Sequence, residues 1–129
     1  MTYIQRDIRF KIWDSRAKIW INNDGDKAMP LWSVNGEYWL EGYCPWIFIQ
    51  YTGFKDKNHT PVYEGDILRN VNDDIEDPDI NIDPVIWEDG CWQIDGMLLS
   101  DYVGEGNKTL LVDDEIIGNI FENPELLKK

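Results

Sequence analysis

Turn-forming residues interrupt this chain so often that the apolar runs between them have only the length of short strands. Asn35-Gly36 separates LWSV from EYWL, and Asp89-Gly90 separates PVIWE from CWQID. Such pairs suit the two positive φ angles of a type I′ hairpin. Further extended candidates are Ile4–Trp13, Lys18–Ile21, Ile47–Tyr51, Val62-Tyr63, Asp66–Val71, Met97–Val103, Lys108–Val112 and Glu115–Phe121. In the first of them Ile8, Phe10 and Ile12 alternate with Arg9 and Lys11, the period of a half-buried strand. Runs this short and this closely spaced predict a mainly β protein, a small barrel or sandwich rather than a parallel sheet. Trp32, Trp39 and Trp46 recur every seven residues, but Gly36, Gly42 and Pro45 rule against a coiled coil. The tryptophans are expected in strands, lining a core or an interface. At the tail, Asn123 can cap, Pro124 suits a first helical position and Glu125 complements the dipole, so a short C-terminal helix is expected.

Charge is the compositional outlier. Up to His59 there are eight basic and seven acidic residues; from Thr60 onward there are four and eighteen, within a total of −13. A surface of that sign repels phosphates, so direct nucleic-acid binding is not expected, whereas a basic protein partner is compatible with it. With 129 residues and seven tryptophans the chain reads as one folded domain, 1–129, with lobes at 1–59 and 60–129. No apolar run approaches a membrane span and no secretory leader is legible, so a cytoplasmic protein is expected. Cys44 and Cys91 lack disulfide-framework or metal-ligand spacing.

The central stretch Gln50–Ile67, QYTGFKDKNHTPVYEGDI, has the most distinctive local grammar. A β-rich run breaks at Thr52-Gly53, Lys55–Asn58 forms a polar turn, Val62-Tyr63 resumes, and Glu64-Gly65-Asp66 turns again. Gly53 and Gly65 are the expected sites of positive φ. Farther on, Asp73–Asp83 holds six acids in eleven residues. Asp77, Asp79, Asn81, Asp83 and Glu88 nearly reproduce the ligand spacing of a calcium loop. Ile82, however, stands where that loop needs glycine, and no amphipathic helices flank it. The expectation is therefore an acidic, solvated loop with no metal, although Ile80 and Ile82 also suggest a short strand with its acids outward.

Gln50–Ile67 resembles the signature of the YopX family of bacteriophage and prophage proteins. Phe54, His59 and Thr60-Pro61-Val62 stand where the family has Leu, Gly and Lys-Glu-Ile. Arg6–Asp14 (RDIRFKIWD) is similar to the family's opening block, and Ile116–Leu127 (IIGNIFENPELL) to its closing block. The resemblance implies an SH3-type small barrel in the C-terminal half, beginning near Tyr63–Ile67 and closing with Ile116–Phe121. An N-terminal β-rich extension would precede it. It also marks Gln50, Tyr51, Thr52, Gly53, Asp56, Tyr63, Glu64, Gly65 and Asp66 as a candidate binding surface.

No catalytic constellation is legible. His59 is the only histidine, neither cysteine sits in a nucleophile motif, and Gly104 and Gly106 open no phosphate loop. No cofactor is expected. The preferred expectation is a non-enzymatic phage or prophage accessory protein that binds an unidentified, basic protein partner or its own copies. Two alternatives stand beside it. One is an acidic mimic of nucleic acid; the other is a small hydrolase using carboxylates such as Asp56, Glu64 and Asp66, which would need a pocket holding an acid of raised pKa.

Overall fold

The structure, a computed structural model, describes residues 8–21, 46–72, 76, 79–104 and 106–128. The Asn35-Gly36 hairpin, Trp32, Trp39, Cys44 and Asp77 lie outside the described residues. The chain divides into two compact units, Met1–Gln50 and Tyr51–Lys129.

In the first unit, β1 (Phe10–Asp14) and β2 (Ile19–Ile21) form an antiparallel hairpin, and β1 pairs on its other side with the start of β3 (Trp46–Lys55). Asp14 builds the β1–β2 turn. Its Oδ1 accepts the N–H groups of Arg16 and Ala17 at 3.0 and 2.9 Å, and Trp46 Nε1 donates to its Oδ2 at 3.3 Å. Donation from the Ala17 N–H, with Arg16 and Trp46 adding to it, holds the Asp14 carboxyl below its ordinary range. Ile12 and Trp13 are both buried, and Trp13 meets Trp20 edge-on at 4.8 Å.

The second unit is built on two sets of strands. The latter half of β3 pairs antiparallel with β4 (Pro61–Tyr63) and, at Lys55, in parallel with β10 (Asn107–Leu111), which in turn pairs with β9 (Val103–Gly104). A separate antiparallel sheet runs β11-β5-β6-β7-β8, from β5 (Asp66–Asn72), β6 (Asp79–Glu88), β7 (Cys91–Ile94), β8 (Met97–Leu98) and β11 (Asp114–Asn119). A 3-10 turn, Leu99–Tyr102, links β8 to β9. Val62, Leu68, Val85, Ile94, Leu99 and Leu111 form the core, drawn from both sets of strands. Complete burial of each such side chain contributes roughly 1.5–3 kcal/mol.

Mainly β architecture is as expected. The Asp89-Gly90 hairpin joins β6 to β7 with φ of 54° and 78°, the two positive values of a type I′ turn. Other expectations are corrected. Strand β3 does not end at Thr52-Gly53: it bulges there, with Gly53 at φ 89°, while Thr52 Oγ1 donates to the Val62 carbonyl and accepts the Phe54 N–H. The acidic stretch is not a loop from Asp79 onward, because Asp79–Asp83 pairs residue by residue with Leu68–Asn72. At the tail, Pro124–Leu127 forms a single 3-10 turn opened by Pro124, but Asn123 makes no side-chain cap and instead accepts the Asn119 N–H at 3.3 Å. Edge strands β8 and β11 are not paired with each other, so among the described residues both sheets remain open rather than closing into an SH3-type ring.

Candidate functional site

The central stretch anchors the fold and is largely enclosed. Tyr51, Thr52, Asp56, Tyr63, Gly65 and Asp66 are buried, while Gln50, Gly53 and Glu64 are half-buried. Tyr51 and Tyr63 face each other across β3 and β4, ring centres 5.5 Å apart. Asp56 Oδ1 accepts the N–H groups of Asn58 and Thr60, both at 2.9 Å, and Oδ2 accepts that of Ile116 at 3.1 Å. Asp66 Oδ2 takes the Tyr63 N–H at 2.8 Å, closing the second turn. Gly65 holds φ 86°; a β-carbon there would stand 2.8 Å from the Phe121 ring, and its carbonyl accepts the Ile120 N–H. The central and closing blocks are thus two halves of one lock. Asp56 and Asp66 already serve as backbone acceptors, and of the candidate surface residues Gln50, Gly53 and Glu64 retain partial exposure.

The unit's acidic concavity lies elsewhere, and strand register explains it. Asp114 in β11 opposes Asn70 in β5, and Asn70 opposes Asn81 in β6. Directly opposed residues project to the same side of a sheet, as do residues two apart on a strand. Asp83 therefore shares that side, along with Leu68, Val85, Ile94 and Ile116. The inner face of the sheet is apolar at the core and turns polar at one end. There, Asp114, Asn70, Asn81 and Asp83, closed off by Asp95 and Tyr102, line a cavity of about 110 Å³ that ends on Ile94.

Asp114 is the unusual group. It is 2% exposed; Asn70 Nδ2 donates to its Oδ1 at 3.1 Å, and its Oδ2 has no hydrogen-bond partner. Burial pushes its carboxyl above the ordinary carboxylate range, the Asn70 bond opposes this, and the neighbouring Asp113 charge adds to it. Burial likewise raises the Tyr102 phenol, helped by the charges of Asp114, Asp95, Asp101 and Asp83. Negative potential therefore concentrates in the cavity, and among the described residues no basic side chain lines it.

Of the calcium-like spacing, Asp79 and Asn81 lie on β6 and Glu88 at that strand's far end, so an extended backbone keeps them from encircling one ion. Among the described residues no three His, Cys, Asp or Glu side chains are placed to hold a metal. Sequence reasoning singled out Asn81 and Asp83 but missed Asn70, Asp95, Tyr102 and Asp114. Asp95-Gly96, with φ of 49° and 76°, was the available signal for a β7–β8 hairpin. Asn70 and Asp114 meet only through register.

Together these features define a class: a small β protein of open, mainly antiparallel sheets whose second unit carries an acidic pocket. The family described as YopX protein matches residues 5–128, nearly the whole chain, and the chain belongs to that family. In fold it is similar to the crystal structure of protein EF1440 from Enterococcus faecalis. The TM-score is 0.63 at 23% identity, over 96% of this chain and 100% of that one. Among curated proteins nothing matches it.

Proposed function

We propose that this is a non-enzymatic accessory protein of a phage or prophage, acting in the bacterial cytoplasm by binding a basic protein partner. One observation carries the reading: Asp56 and Asp66 of the central stretch are engaged as backbone acceptors, while the acidic cavity at Asp114, with no basic residue lining it among the described residues, keeps an unpartnered carboxylate oxygen. The net charge of −13 adds long-range attraction for such a partner. The test is capture of partners on the immobilised chain from host lysate, washed at rising salt. A basic protein released as salt rises supports the reading, because exposed charge pairing is screened. Capture of neutral or acidic proteins only, indifferent to salt, would refute it. Release of the basic protein by added DNA would make the chain a nucleic-acid mimic within the same reading.

A second reading has one specific observation in its favour. Asp114, a raised carboxyl in a cavity with Asp83 and Asp95, has the environment of a general acid. A small carboxylate hydrolase would turn over a panel of chromogenic glycosides and phosphoesters and lose that turnover in Asp114→Asn. No turnover by the wild-type chain dismisses it.

A further inference from the structure

We infer that the cavity at Asp114 is a receptor for a guanidinium group, the arginine side chain of a partner peptide lying along β6. This rests on the basic-partner reading and names its chemistry. A carboxylate that is 2% exposed and has one oxygen unpartnered is incomplete, and a cationic donor completes it. A bare metal ion fits poorly, since among the described residues no three suitable side chains converge. The cavity, about 110 Å³, is several times what one water requires, roughly 10–15 Å³. A polyatomic cation therefore fits.

Its lining favours arginine over lysine. Asn70 donates its amide N–H to Asp114, which leaves its carbonyl as an acceptor, and Asn81 adds an amide beside it. Asp83 and Asp95 supply further acceptors around the rim, and Tyr102 supplies an aromatic wall. Guanidinium presents five N–H donors in a plane, stacks on aromatic faces and sheds water more readily than ammonium. Lysine would bring a strongly hydrated point charge with three donors.

A second concavity points to a peptide as the source. Of about 410 Å³, it shares Asn81, Asp83 and Asp95 with the first and reaches, around the stretch of β6 that β7 leaves unpaired, Ile80 and Ile82 on the strand's other side and Leu126, Leu127 and Lys128. Its apolar walls suit a hydrophobic residue next to the arginine, and the Lys128 ammonium on its rim suits a peptide carbonyl or carboxylate. A free guanidinium metabolite would leave this space unused.

The experiment titrates the full chain with N-acetyl-arginine methylamide, its lysine counterpart and a capped Arg-Leu peptide. Calorimetry and the side-chain amide signals of Asn70 and Asn81 report binding. Arginine is expected to saturate and shift both amides, with lysine weaker by about tenfold or more. Asp114→Asn is expected to lose arginine binding by at least about tenfold while keeping its dispersed spectrum. The Arg-Leu peptide should bind more tightly than the single residue, and Ile80→Ser, at an exposed position, should remove only that increment. Equal arginine and lysine affinities, an unaffected Asp114→Asn, or calcium shifting the same amides at lower concentration would overturn the site. A peptide no tighter than the single residue would assign the cavity to a free small molecule and overturn the partner half. If salt-sensitive capture persists in Asp114→Asn, the proposed function survives without this site; if capture and titration both fail, both fall.

Discussion

Two aspartates, replaced identically, should move stability in opposite directions. Asp114 and Asp56 are each 2% exposed. Asp56 accepts three backbone N–H groups, whereas Asp114 accepts one side-chain amide and leaves Oδ2 unpartnered. An unsatisfied buried polar group costs about 1–3 kcal/mol, and a charged one more. Asp114→Asn keeps shape and the Asn70 bond but removes the charge, so it should stabilise by about 1–2 kcal/mol. For a chain of this length that raises the melting midpoint by about 3–8 °C. Asp56→Asn turns an amide N–H toward backbone donors and weakens charge-assisted bonds, so it should destabilise by about 2–4 kcal/mol. Calorimetry of both variants at neutral pH, with urea titration to confirm unchanged m-values, makes the comparison. The pH dependence follows from linkage. The raised carboxyl of folded Asp114 binds its proton more tightly than the unfolded chain does. Wild-type stability should therefore gain on Asp114→Asn as pH falls through the raised value toward roughly 3.9, the unfolded carboxylate's, and lose that gain as pH rises again. Destabilisation by Asp114→Asn at neutral pH would refute this reasoning and make Asp114 a structural acceptor like Asp56.

Gly65→Ala should destabilise by about 2–4 kcal/mol, since it combines positive φ with a β-carbon pressed on Phe121. Gly53→Ala, at similar φ but with nothing within 4 Å of the new carbon, should cost only about 1–2 kcal/mol; urea midpoints separate the two. The Lys57–Glu115 pair, 3.6 Å apart and well exposed on both sides, should couple by less than about 0.5 kcal/mol in a double-mutant cycle. Trp87→Ala, at a residue 53% exposed but paired with Trp92 at 4.7 Å, should cost about 0.5–1.5 kcal/mol by thermal unfolding.

Legibility in the sequence followed the range of the interaction. Asp89-Gly90 and Gly65 announced their turns, and Gly53 its positive φ, because a positive φ is a local demand that few residues meet. The acidic segment misled because like charges suggest solvation, yet Asp79 and Asp83 share one side of β6, with Asp79 exposed at the strand's end and Asp83 half-buried nearer the core. Asp56 was legible as a turn residue, but its bond to Ile116 crosses 60 positions and no spacing rule reports it. The Asp114–Asn70 pair, 44 positions apart, is a product of register alone. Asn123 has the residue type of a cap, yet its side chain bonds back to Asn119 and leaves the 3-10 turn at Pro124–Leu127 without a side-chain cap.

The lock between Asp56, Gly65 and residues 116–121 also orders events in time. A growing chain presents the central stretch first, with the carboxylate of Asp56 holding its own turn and the flank of Gly65 uncovered. Strands β5, β6 and β7 can pair as they are made, since their partners are near in sequence. Ile116 and Phe121 arrive only after some sixty further residues have been added, so the second unit cannot complete its enclosure until synthesis has passed them. Until then the nascent protein exposes Val62, Leu68 and the other core residues that the finished fold conceals. This makes the interval before residue 121 the period in which a chaperone, or an errant strand from a neighbouring chain, would find it.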